Sequence, residues 1–127
     1  MTTSEKVKYM MAKCSLNLDD ISEYLGITTQ SLRNKLNRDS FSINDLIIIS
    51  HLCHAELNIK FEDAEIKSVT FELNDLPKED YERLKDLDLK KIQNAYESLR
   101  ETILKLSPED QKYAIKYLQS LSPEDED

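Results

Sequence analysis

Thr28, Thr29, Gln30, Arg33 and Asn34 fall within seven consecutive residues at helical spacing. Their side chains are those that read base edges in a duplex. Arg donates to guanine O6 and N7, Gln and Asn make paired bonds to adenine, and Thr methyls touch the thymine methyl. Ser31 adds a hydroxyl to the set. Asn17, Lys35, Arg38 and Ser40 flank it with groups suited to phosphate oxygens, which helix N-terminal amides also favour. A second cluster, His51, Cys53 and His54 with Cys14 upstream, contains metal-ligand types. Its spacing fits no metal-binding pattern, and positions i and i+2 point to different helix faces, so no metal and no cofactor are expected. The cysteines read as small core residues rather than a disulfide. Carboxylates are plentiful but interleaved with Lys and Arg, as in Glu82/Lys85 and Glu97/Arg100/Glu101, so they read as a solvated face. With no nucleophile–base pattern and no phosphate loop, an enzyme is not expected.

The elements that must hold these residues are helical. Ser4 opens a first helix that ends near Cys14, with Val7, Met10, Met11 and Cys14 on one face. Asn17 is the N-cap of a short second helix whose inner side is Ile21 and Leu25. Gly26, the single glycine of the chain, stops it, as left-handed geometry at a helix C-terminus favours. Thr28 caps a third helix to about Asn37, with Leu32 and Leu36 inward. Ser42 caps a fourth, with Asp45 completing a capping box and Leu46, Ile47, Ile49 and Leu52 buried. The period then changes to two. Leu57, Ile59 and Phe61, and then Val69, Phe71 and Leu73, predict a β-hairpin with strands over 57–61 and 66–73. Beyond Pro77 the chain reads as helix to about Leu106, with a break near Asp86–Asp88. Leu89, Ile92, Tyr96, Leu99, Ile103 and Leu106 form a short heptad seam. Ser107-Pro108 starts a last helix over 108–121. The seam is expected to pack on it as an antiparallel helical hairpin, with Leu89, Ile92, Tyr96, Leu99 and Ile103 also contributing to a dimer. The fold class is therefore mainly α: a small helix-turn-helix bundle, a β-hairpin and C-terminal helices.

Composition bounds the possibilities. The chain has 127 residues, one glycine and a net charge of −8. So little glycine excludes turn-rich sandwiches and dinucleotide fingerprints. No apolar run spans a bilayer and no signal peptide is evident, so a cytoplasmic protein without a membrane partner is expected. A pI near 4.8 argues against indiscriminate polyanion binding. The charge, however, is uneven. Residues 1–60 hold seven cations and seven acids, whereas residues 61–127 hold ten and eighteen. A neutral first part joined to an acidic second predicts two units, 1–61 and 62–127.

Residues 17–38, NLDDISEYLGITTQSLRNKLNR, resemble the helix-turn-helix of the Cro/C1-repressor (XRE-type) family. The resemblance extends over residues 4–61, where LGITTQSLRNKLNRDSFSINDLIIISHL followed by ELNIKF is similar to small regulators of Gram-positive bacteria, phages and mobile elements. It implies a DNA-binding domain, usually dimeric, with Thr28, Thr29, Gln30, Arg33 and Asn34 at recognition-helix positions. The family often has a phosphate-contacting Gln to open its second helix, where this chain has Leu18, followed by Asp19 and Asp20. The expected function is a sequence-specific regulator of transcription, a homodimeric repressor on double-stranded DNA. Its rival is a protein–protein inhibitor or adaptor, of the kind represented by anti-CRISPR proteins with a repressor-like domain, whose acidic half occupies a basic partner surface.

Overall fold

The computed structural model describes residues 1–63 and 65–121. The elements run α1 (Thr3–Cys14), α2 (Leu18–Leu25), α3 (Thr29–Arg38), α4 (Ile43–Leu52), β1 (Leu57–Ile59), β2 (Val69–Phe71), α5 (Lys78–Leu104) and α6 (Pro108–Leu121), with a 3₁₀ turn at Leu73–Asp75 before α5. The protein is mainly α, as its sequence predicts. Most helix starts carry a side-chain cap. The amide of Asp20 donates to Asn17 Oδ1 at 2.8 Å, that of Ser31 to Thr28 Oγ1 at 3.1 Å, and that of Asp110 to Ser107 Oγ at 3.3 Å. At α4 the box is reciprocal, with Asp45 N–H on Ser42 Oγ and Ser42 N–H on Asp45 Oδ2. Each such cap stabilises its helix by about 1 kcal/mol. At α1 the cap is Thr2, which accepts from Glu5 N–H, while Ser4, expected to open the helix, is buried within its first turn.

The chain divides into two compact units, Met1–Asp86 and Leu87–Asp127. The first has a true core. Val7, Ile21, Tyr24, Leu32, Ile49 and Leu84 are almost fully buried, and Leu25, Ile47, Ile48 and Leu76 join them. α2 packs on α3 and α4, and α4 in turn packs on β1 and the 3₁₀ turn. The hairpin is shorter than its alternating pattern suggests. Only Leu57, Asn58 and Ile59 pair, with Phe71, Thr70 and Val69 respectively. Phe61 and Ile66 lie outside the ladder and are exposed, so the alternation continues beyond the hydrogen bonds. Because α4 and the first turns of α5 belong to the same unit as the hairpin, this unit reaches well past the expected boundary at residue 61.

α5 is a single helix with no break at Asp86–Asp88. It contains neither glycine nor proline, so nothing interrupts its backbone ladder. The change of apolar phase there marks a change of environment instead. Leu84, in the first unit, is 1% exposed, and Leu89, in the second, is 56% exposed. The second unit comprises the rest of α5 and α6, joined by residues 105–107. Gln111 Nε2 donates to the carbonyls of Leu104 and Leu106 and so closes the end of α5. Among its described residues no side chain is buried. No helix among the described residues is long and apolar enough to cross a membrane.

Candidate nucleic-acid interface

α3 lies across the bundle with Leu32 wholly buried beneath it. At 3.6 residues per turn, Arg33, Asn37, Gln30, Asn34 and Arg38 follow one another around its opposite side. All five are exposed. Asn37, seven residues after Gln30, sits in the middle of this arc. It escaped the sequence reading because it looked like the end of the helix, although its one- and two-turn spacing to Arg33, Asn34 and Gln30 could have revealed it. Gln30 Nε2 donates to Asn34 Oδ1 at 3.3 Å, which aligns the two amides along the helix. Arg33 and Arg38 form no ion pair among the described residues. They remain available to an external acceptor.

The other expected site residues do different work. Thr28 and Ser31 are exposed at the helix start, where Thr28 Oγ1 both caps the Ser31 amide and donates to Ser31 Oγ at 2.9 Å. Thr29 is half-buried at the edge of the arc. Asn17 is exposed at the start of α2, with its carbonyl oxygen taken by the Asp20 amide. Asp19, in the same first turn, is also exposed. Lys35 turns inward and meets Asp45 Oδ2 at 2.9 Å, with a longer contact of 3.5 Å to the carbonyl of Ser40. It thereby joins α3 to the capping box of α4. Ser40 follows Asp39, whose left-handed φ of 54° ends α3.

Three ties fix the orientation of this helix. At its C-terminal end Asp39 Oδ1 accepts from Ser4 N–H at 2.7 Å, joining α3 to the start of α1. Along its flank runs the Lys35–Asp45 pair. At the turn before it, Arg83 of α5 donates through Nε and Nη2 to the carbonyl of Tyr24, at 3.3 and 3.1 Å. Asp80 holds the same guanidinium through Nη1 at 2.7 Å. Arg83 thus satisfies a carbonyl in the last turn of α2, where helix ends lack partners. It also lies against Gly26, whose φ is +70°: a Cβ there would sit 3.0 Å from Arg83 Cζ. The left-handed backbone favours glycine at this turn, and a Cβ would press the Arg83 guanidinium by a few tenths of an ångström. Nothing local in the sequence points from Arg83 to Tyr24, which lie 59 residues apart.

The cysteines are half-buried at the edge of the first unit's core. Cys53 Sγ hydrogen-bonds with Cys14 and lies 3.9 Å from the carbonyl of Met10. Burial, reinforced by the neighbouring thiol, pushes Cys53 up from 9.0 to about 12. It is a neutral thiol near pH 7. No three metal-ligating side chains come together among the described residues.

No family model, curated protein or solved structure matches the chain. The polar arc of α3 and its three ties therefore carry the functional reading by themselves.

The charge map sharpens once the two units are known. Residues 61–86 hold nine acids and four cations, whereas the helices over 87–121 hold five acids and six cations. The acid is concentrated in the hairpin segment, the start of α5 and residues 122–127, and the second unit's helices are close to neutral.

Proposed function

We propose that this protein is a sequence-specific regulator of transcription that binds double-stranded DNA as a homodimer, acts in the cytoplasm as a repressor, and belongs to a bacterium, phage or mobile element. The observation that supports this reading is the exposed arc Arg33–Asn37–Gln30–Asn34–Arg38 on a helix held over a buried leucine. Its groups are complementary to the donors and acceptors of the major groove, and the preceding α2–turn–α3 gives the helix-turn-helix arrangement that presents such a face. One short helix reads few bases, so pairing two copies on a two-fold site supplies the missing specificity.

The reading is tested by selecting duplexes from a random pool and measuring binding of the best one by gel shift. Arg33→Ala with Asn34→Ala is expected to remove the specific complex, a loss of at least tenfold, with the circular dichroism unchanged. Binding equal to wild type would refute the assignment of α3. A second reading has one observation in its favour, the acid gathered over residues 61–86. There the protein is an inhibitor or adaptor that occupies a basic surface, and recovery of no preferred duplex together with tight binding to a basic protein would favour it.

A further inference from the structure

We propose that the second unit is a self-association module, in which the open groove between α5 and α6 is closed by the α5–α6 pair of a second copy. This rests on the dimeric part of the function proposed above and not on DNA contact. The first observation is that the unit has no interior. None of its described side chains is buried, yet ten large apolar or aromatic ones are between 38% and 79% exposed. Four of them, Tyr96, Leu99, Leu104 and Ile115, line the groove between the helices, and the ten together offer on the order of 1,000 Å² spread over the unit, against the ~800 Å² that each partner contributes to a standard stable interface.

The second observation is shape. Tyr96, Leu99, Ile103, Leu104, Ile115 and Leu118 line an open groove of about 610 Å³ between the two helices. Two-helix pairs with such a seam complete a core by packing against another pair, as in a four-helix bundle. The third is charge. Over residues 87–121 six cations face five acids, so two copies of these helices meet less repulsion than two copies of the segment 61–86 with its nine acids and four cations, although residues 124–127 add four acids to the unit. The alternative face, on the hairpin, is smaller: Ile59, Phe61, Ile66 and Val69 are each about half exposed.

Sedimentation equilibrium of the full chain without DNA, over a hundredfold range of concentration, tests this. The wild type is expected at twice its 14.8 kDa mass. Tyr96→Lys with Leu104→Lys, at groove positions 68% and 61% exposed, is expected to raise the dimer dissociation constant at least tenfold. Ile59→Lys with Val69→Lys on the hairpin is expected to leave it unchanged. Hydrogen exchange of the unaltered protein supplies a mutation-free readout: amides of α5 beyond Asp86 and of α6 gain protection as concentration rises, while those of α1–α4 do not. A wild type that stays monomeric overturns the proposal, as does dimerisation lost only in the hairpin variant. So does concentration-dependent protection confined to the first unit. Because no DNA is present, a dimer that forms through this groove but selects no duplex would sink the DNA reading and leave this one standing.

Discussion

The two units draw on similar side chains and use them in opposite ways. Met1–Asp86 gathers Val7, Ile21, Tyr24, Leu32, Ile49 and Leu84 into an interior, and that interior fixes a polar helix face outward. The helices beyond Leu87 leave their leucines, isoleucines and tyrosines in solvent. α5 runs through both, so the contrast is not one of secondary structure or helix propensity. It lies in what surrounds each turn of the same helix. An apolar stripe says that something must cover it, and only the rest of the fold says whether the cover comes from the same chain.

Leu84 and Leu89 provide the sharpest comparison. Leu84→Ala is expected to cost about 2–5 kcal/mol, because it opens a cavity beneath α5. Leu89→Ala, at a position 56% exposed, is expected to cost less than about 1 kcal/mol at concentrations where sedimentation shows a monomer. Urea unfolding at low concentration measures both, and equal costs would erase the distinction between the units. Next in size is Gly26→Ala. An L residue at a φ of +70° costs about 1–2 kcal/mol, and the new Cβ pushes the Arg83 guanidinium by a few tenths of an ångström. Duplex binding is expected to weaken several-fold beyond the change in stability, since the turn sets the angle of α3. Arg83→Ala should mimic the binding loss without the backbone strain.

The smallest effect concerns a half-buried thiol of the first unit. Cys53 is held as a neutral thiol, with its titration moved from 9.0 to about 12. The fold favours the protonated form, so this contribution is fully present below about pH 9 and is lost as pH rises toward 12. Iodoacetamide at pH 9 is expected to label Cys53 slowly in the native protein and quickly in urea, as read by mass spectrometry of the peptides. Rapid native labelling would mean that this corner of the core is open to solvent.

Local features of the fold were legible in the sequence. Asn17, Thr28, Ser42 and Ser107 cap the helices they were expected to cap, because a cap needs only a short polar side chain a few residues from its acceptor amide. Gly26 was legible for the same reason. Of the residues expected on the outer face of α3, Gln30, Arg33 and Asn34 are exposed there, whereas Thr29 is half-buried and Lys35 turns inward; Asn37 was missed because it looked like the end of the helix. What escaped was everything that joins distant segments. The Arg83–Tyr24 tie, the Asp39–Ser4 bond and the inward turn of Lys35 toward Asp45 have no periodicity that could announce them. The unit boundary escaped because a hydrophobic phase shift near Asp86 reads equally well as a broken helix or a continuous helix with new surroundings. The charge split at residue 60 hid a finer one, since the acid lies mainly outside the helices of the second unit.

The Arg83 tie also has a bearing on the order of events during synthesis. The contacts among α1–α4 join segments made in quick succession, but the guanidinium that steadies the α2–α3 turn is encoded 59 residues after the carbonyl it holds. At ~5–20 residues per second, a ribosome needs roughly 3–12 s to reach it. α1–α4 are therefore synthesised well before the side chain that fastens the turn preceding α3. A chain cut short after the hairpin would carry every residue of the polar arc but lack the side chain that steadies the turn preceding it.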